Sequence, residues 1–376
     1  MRIVIESDHY LKILPVMLDE KTPREHAEAV ADFFAHDVPD FLSWCEGFRA
    51  RLGEILPADI VFAESQEAFD ALLQDAEVAI VESFKVTRTA LENAKRLKVV
   101  HKFGAYASGI DLEAAREKRI AVLTIRREGN VAVAEQAFAL LIALAKQIGE
   151  YDGVVTAENL AAKGFPVRSY DRRYTGGSNF ARIPNLRTLA GTTLGIVGLG
   201  EIGREIAARA GAFGMSIVYH QRSRVPQAIE LSLGARYLPL PSLMAESDYV
   251  VVQLPLNEST RSIIGRTEFA VMKKGAVLVN VARAALIERG ALMEAIASGK
   301  LGGLGMDVWY EEPFDPKDPI LADRSGRVIL MPHTAVGDRR VGLRDLSGLC
   351  VGICRALQTA KRPNRPNVVD TGRGGL

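Results

Sequence analysis

Cysteine is scarce: 376 residues hold only three, Cys45, Cys350 and Cys354, which make neither an even set nor a CxxC pair. That excludes a disulfide framework, and a reducing compartment fits. Cys350 and Cys354 stand four apart on an expected helix and read as small buried hydrophobes rather than metal ligands. An excess of one charge is missing too. Lys and Arg number 47 against 46 Asp and Glu, a net charge of +1, so no global field favours nucleic acid or an anionic membrane. Long apolar runs are also absent: the longest helical candidate, Val131 to Ala145, carries Glu135 and Gln136 and reads as too short to span a bilayer. At the amino end, Met1-Arg2 leads into Ile3-Val4-Ile5 with Glu6 and Asp8 close behind, which is not a signal-peptide pattern. The expectation is a cytoplasmic protein with no metal, nucleic-acid or membrane partner.

What is present is organised around Thr193 to Arg209. Leu194, Ile196 and Val197 form a short apolar run suited to a buried parallel strand, which breaks into Gly198-Leu199-Gly200-Glu201-Ile202-Gly203 and then an alanine-rich helical pattern. Gly198 permits the tight turn, Gly200 lets backbone amides approach a pyrophosphate, and Gly203 lets the helix lie close to the sheet. The helix N-terminus offers unpaired N–H groups and partial positive charge to phosphates. With a second strand expected at Met215–Tyr219, the pattern predicts dinucleotide binding.

A further absence bears on which dinucleotide. An NAD site usually has Asp or Glu about 20 residues past the glycines, accepting from the ribose hydroxyls. Here the strand end reads Tyr219-His220-Gln221-Arg222-Ser223-Arg224, with no acid. Two guanidiniums and a hydroxyl suit a 2′-phosphate, so NADP is the expected preference, with NAD possible. The alternative is a solvated basic loop that serves either cofactor.

The length suits two domains. Strands are expected at residues 2–5, Ile60–Ala63, Val78–Val81, Leu97–Phe103 and Ile120–Leu123, with helical patterns over Pro23–Leu56, Gln66–Gln74 and Leu112–Lys118. A long apolar helix over Asn130–Gly149 leaves this first domain. The polar stretch from there to Leu189 reads as an arm packing on a partner subunit, with a disordered surface insertion as the alternative. Beyond the glycine turn, strands are expected at Val250–Leu254, Ala276–Val281, Gly303–Asp307 and Val328–Met331, with helices from near Arg266 and over Gly290–Ser298. A helix from about Arg339 to Thr359, followed by Pro363–Asp370, returns the chain to the first domain. The predicted fold is α/β, with two doubly wound parallel-sheet domains and a cleft between them. Residues 1–125 plus 338–376 form a smaller, flavodoxin-like substrate domain, and residues 126–337 a Rossmann-type dinucleotide-binding domain.

Ligands of such sheets sit at the carboxyl ends of the strands, and Arg283, Glu312 and His333 follow three successive strands there. Arginine offers a forked cation for a substrate carboxylate, histidine exchanges a proton with the reacting oxygen, and a carboxylate paired with the imidazole favours the imidazolium and fixes its orientation. Singly, each has a plainer reading: a surface charge, one acid of several in a loop, a packing histidine. Together they suit hydride transfer to a 2-oxo acid.

At this point the chain resembles the D-2-hydroxyacid dehydrogenase family, which includes glyoxylate/hydroxypyruvate reductases and phosphoglycerate dehydrogenases. The resemblance runs from about Leu97 to Val369 and rests on Lys102-Phe103-Gly104 with Ile110-Asp111, Asn130 to Glu135, the glycine turn, Leu254-Pro255-Leu256, Asn280 to Arg283, Asp307-Val308-Trp309 with Glu312-Pro313, and Pro332-His333. It implies catalytic roles for Arg283, Glu312 and His333, with Asp307 accepting from the nicotinamide carboxamide. Ala282, Leu254 and Pro255 are implied beside the cofactor, and Ala105 and Tyr106 in the turn that binds the substrate carboxylate; a homodimer is also expected. The chain departs from the family pattern at Tyr106, where a glycine is common, at Ser108-Gly109 in place of Asp-Asn, and at Glu201, where arginine is frequent. Two rival readings remain: a relative oxidising another small anion such as phosphite or formate, and a nucleotide-sensing corepressor-like binding protein. Glu312 counts against formate, and the intact trio favours catalysis.

Overall fold

The computed structural model describes residues 1–323 and 326–360; the expected segment Pro363–Asp370 lies outside them. The chain divides into two units, the first formed by Met1–Asn130 with the described residues from Val336 onward, the second by the described residues of Val131–Ala335.

In unit 1 five parallel strands, β1 (Arg2–Glu6), β2 (Asp59–Ala63), β3 (Val78–Val81), β4 (Val99–Lys102) and β5 (Ala121–Thr124), stand in the order β2-β1-β3-β4-β5. This is the flavodoxin-like order. The strand residues alternate between two cores. Ile3, Ile5, Val78 and Ile80 face a cluster with Phe34, Phe41, Leu346 and Leu349, while Val4, Ala79 and Val81 face one with Phe69, Leu73 and Leu91. Both faces are covered, which is why these strands read as unbroken apolar runs. All three cysteines are buried in the first of these clusters, and burial pushes the Cys45 thiol up to about 12.

Several elements differ from the sequence expectation. The helical stretch from Pro23 to Leu56 is two helices, Arg24–Phe34 and Phe41–Arg49, because Pro39 disfavours helical backbone at Val38. A short helix at Leu14–Leu18 precedes them, and Arg88–Asn93 forms another, capped by the Thr87 hydroxyl.

The apolar helix begins earlier than its hydrophobic pattern, at Glu128, and runs to Lys146. Its start is fixed by Asp345, whose carboxylate accepts from the N–H groups of Glu128 (2.8 Å) and Gly129 (3.1 Å). The expectation that this segment is too short for a bilayer is thereby corrected: 19 residues suffice by length and composition. The helix instead serves as a core element of unit 2, where Phe138, Leu140, Leu141 and Leu144 are buried.

Unit 2 has seven parallel strands: β6 (Thr193–Val197), β7 (Ser216–His220), β8 (Ala235–Tyr237), β9 (Tyr249–Val252), β10 (Ala276–Asn280), β11 (Leu301–Met306) and β12 (Val328–Leu330). Their order is β12-β11-β10-β9-β6-β7-β8, the Rossmann order with one strand added beyond the sixth. The direction of winding reverses between β6 and β9, which places the switch point beside the glycine turn. Strand β8 and the helices Gln227–Leu233 and Leu240–Glu246 were not anticipated. The stretch before Leu189 contains the short helix Ala157–Ala162 and exposes Val155, Val167, Tyr174 and Phe180.

One buried group gives unit 1 a pH dependence. His101 on β4 is 2% exposed, and burial holds its imidazole at about 4 against an ordinary 6.5. Between those values the unfolded chain takes up a proton that the folded unit refuses, so the stability present at neutral pH is lost as pH falls from about 6.5 to about 4. The expected loss is about 3 kcal/mol. Urea unfolding at pH 7 and pH 4.5 tests it, and His101→Leu should flatten the dependence; an equal slope in both proteins would assign it elsewhere.

Candidate active site

The glycine turn leaves β6 as its sequence requires. Gly198 has φ +109°, in the region that favours glycine, and a Cβ there would overlap the Gln253 carbonyl. A Cβ on Gly203 would overlap the Gly198 carbonyl, so helix Glu201–Ala212 can lie this close only with glycine. By contrast, a Cβ on Gly200 would meet nothing within 4 Å. The backbone before the helix N-terminus is thus open to a ligand. A tight turn, an uncovered Gly200 and a helix N-terminus beginning at Glu201 and Ile202 fit a pyrophosphate. Leu254 and Pro255 follow β9 across the switch point, with the Leu254 side chain close to Gly198.

At the end of β7, Gln221 joins the two halves of this site. Its Oε1 accepts from the Leu199 N–H (3.1 Å) and its Nε2 donates to the Ser223 carbonyl (2.6 Å). Arg222 and Ser223 are exposed beyond it. Arg224, read from sequence as a second guanidinium for phosphate, is held by Glu230: Nε and Nη2 donate to its two oxygens at 2.8 and 2.7 Å. Glu230 is 6% exposed and also accepts from Tyr219 Oη at 2.7 Å. Its charge offsets that of Arg224, so Arg222 is the cation of this segment not offset in that way.

The three strand-end residues lie in unit 2. Arg283 follows β10 on a turn secured by Asn280, which is fully buried: Oδ1 accepts from the Ala282 N–H (3.0 Å) and Nδ2 donates to the Arg283 carbonyl (2.9 Å). The guanidinium is exposed and donates to the Ala282 carbonyl. Beyond β11, Glu312 Oε1 accepts from the Trp309 N–H and Oε2 meets His333 Nδ1, both at 2.8 Å. Burial tends to raise the Glu312 carboxyl, but the hydrogen bonds from His333 and Trp309 and the charges of His333 and Arg283 outweigh it and hold the group below the ordinary carboxylate range. Nδ1 is occupied by the carboxylate, so Nε2 is the imidazole nitrogen left for a substrate.

His333 has φ +56°, a left-handed conformation uncommon for a side-chain-bearing residue and sustained only where the surroundings enforce it. Asp307 enforces it. This carboxylate is 0% exposed and accepts from the N–H groups of Thr334 and Ala335, each at 2.9 Å, and from Gln136 Nε2 at 3.3 Å. Asp307 was expected at the nicotinamide carboxamide; in this structure its oxygens accept from the turn that presents His333. Asn280, Gln136 and Trp309 were assigned no role from sequence. Ala105 and Tyr106 lie in unit 1, on the turn after β4, with Tyr106 43% exposed.

A model of the D-isomer specific 2-hydroxyacid dehydrogenase NAD-binding domain matches residues 138–335, nearly the whole of unit 2. A glyoxylate reductase of Thermococcus litoralis is 35% identical over 274 residues, covering 72% of this chain and 78% of its own. The chain belongs to the D-isomer specific 2-hydroxyacid dehydrogenase family. This dehydrogenase is also 35% identical to a hydroxypyruvate reductase of Thermotoga maritima, over 72% of this chain and 83% of that protein. Among solved structures, a glyoxylate reductase from Paecilomyes thermophila superposes with a TM-score of 0.52 at 29% identity, covering 84% of this chain and 92% of that one. The dehydrogenase is accordingly an oxidoreductase that transfers hydride with a nicotinamide dinucleotide.

Proposed function

We propose that this dehydrogenase interconverts a small 2-oxo acid and its D-2-hydroxy acid, with glyoxylate or hydroxypyruvate as substrate and NADP(H) preferred. The carrying observation is the His333–Glu312 contact on a turn held in left-handed backbone by Asp307. The bound dinucleotide supplies the hydride. Arg283 clamps the substrate carboxylate through its fork and polarises the adjoining carbonyl. His333 Nε2 gives its proton to the carbonyl oxygen in reduction and takes it back in oxidation, and Glu312 stabilises the imidazolium and keeps the ring oriented. The names of the two reductases above support the substrate class.

For the cofactor, the acid-free segment Gln221 to Arg224 supports NADP, with Arg222 and Ser223 as the phosphate ligands. A homodimer joined through the stretch before Leu189 fits the apolar side chains exposed there, and a cytoplasmic location fits the buried thiols.

Absorbance of the reduced nicotinamide, followed with a panel of 2-oxo acids and each dinucleotide, tests the reading. Turnover of glyoxylate or hydroxypyruvate with NADPH ahead of NADH is expected. Arg222→Glu should lower kcat/KM for NADPH about 10- to 100-fold, the worth of a charge-assisted hydrogen bond, with NADH unaffected or improved. Equal use of both dinucleotides by the wild type would overturn the NADP preference, and silence across the panel the substrate class.

A further inference from the structure

At the opposite end of the unit 2 strands from the glycine turn, a cavity of about 390 Å³ opens at the amino ends of β9 and β10. Arg187, Lys273 and Lys274 face it with one carboxylate, Asp248, and with Tyr249. The carboxylate is already spent: Oδ1 takes Lys273 Nζ at 2.7 Å and Oδ2 the Thr193 N–H at 2.9 Å. Arg187 Nη1 donates to the Gly275 carbonyl at 2.8 Å, a neutral acceptor that leaves its charge in place. Lys274 is exposed beside it. Tyr249 is 0% exposed, and its Oη sits near Arg187 without a hydrogen bond of good geometry. The wall therefore carries a hydroxyl whose hydrogen-bonding capacity the protein does not fully use.

We propose that this cavity is a second anion site, taking the phosphate group of a small molecule. Three cations against one carboxylate leave an excess of two positive charges, and with a guanidinium fork among them they match a dianionic phosphate better than a single carboxylate. Thr188 and Thr192 also line it. The volume exceeds that of one phosphate and leaves space for the remainder of a phosphorylated metabolite. The site is separate from the pyrophosphate cradle, since β6 and β9 run parallel with their carboxyl ends at the glycine turn and their amino ends here.

The test is calorimetric titration of inorganic phosphate into the full chain saturated with NADPH and NADH, in a phosphate-free buffer of low salt. One phosphate per chain is expected, with affinity reduced at least 10-fold in Lys274→Glu, a surface change that does not threaten the fold. Tyr249→Phe should weaken binding less, and Arg283→Ala should leave it unchanged. No binding by the wild type, or equal affinity in Lys274→Glu, would overturn the proposal. So would loss of binding in Arg283→Ala, which would put the phosphate in the substrate site.

Discussion

His333→Ala is expected to lower kcat for 2-oxo acid reduction by about 10²- to 10⁴-fold, the usual worth of a positioned acid-base group. Dinucleotide affinity, read by nicotinamide fluorescence, should stay within a few-fold, because the glycine turn and the Gln221 segment do not depend on this side chain. The backbone conformation complicates alanine, since φ +56° disfavours a Cβ-bearing residue. His333→Asn controls for this: asparagine tolerates left-handed backbone but cannot act as an imidazolium, so equal losses in the two variants locate the defect in proton transfer. Glu312→Gln should give a smaller fall and alter the pH profile. In the wild type the carboxylate is held below its ordinary range, so its contribution is present above that range and is lost as pH falls through the lowered value. Unchanged kcat in His333→Ala would remove the histidine from the mechanism.

Asp307→Asn tests the support beneath the acid-base residue. The native carboxylate accepts from two backbone N–H groups, Thr334 and Ala335, and from Gln136. Asparagine has one acceptor oxygen, and its amide then faces a backbone donor. The expected cost is about 1–3 kcal/mol of unit 2 stability, from a buried donor left unmade. The larger effect is on rate. Release of the turn lets His333 leave its left-handed backbone, and a displacement of about 1 Å at a reacting group can cost 10²-fold in kcat. The informative readout is the pH dependence of kcat, which should change together with its magnitude as the Glu312 contact loosens. If Asp307 serves the nicotinamide instead, the variant will weaken dinucleotide binding and leave the pH profile of kcat as it was.

Much of the dinucleotide site was legible because its constraints are local. A glycine at Gly198 follows from the sign of φ, one at Gly203 from the carbonyl five residues before it, and the apolar runs of β6, β9 and β10 from burial on both faces. The placement of Arg283, Glu312 and His333 just past strands was likewise readable from the run lengths. Their supports were not. Gln136 reaches Asp307 across 171 positions and Asp345 caps Glu128 across 217, and such contacts leave no periodicity for a sequence to display.

The segment Gln221 to Arg224 shows the same division. Its lack of an acid was visible, but Glu230, which takes up Arg224, lies on a helix that the sequence pattern did not mark. The sequence by itself determined the fold class, the glycine turn and the identity of the strand-end groups, since hydrophobic runs and glycine dihedrals act within a few residues. Only the tertiary structure decided where the long helix starts, which arginine keeps an unspent charge and what holds His333 in place, because each depends on a buried polar group meeting a partner brought to it by the packing of other elements.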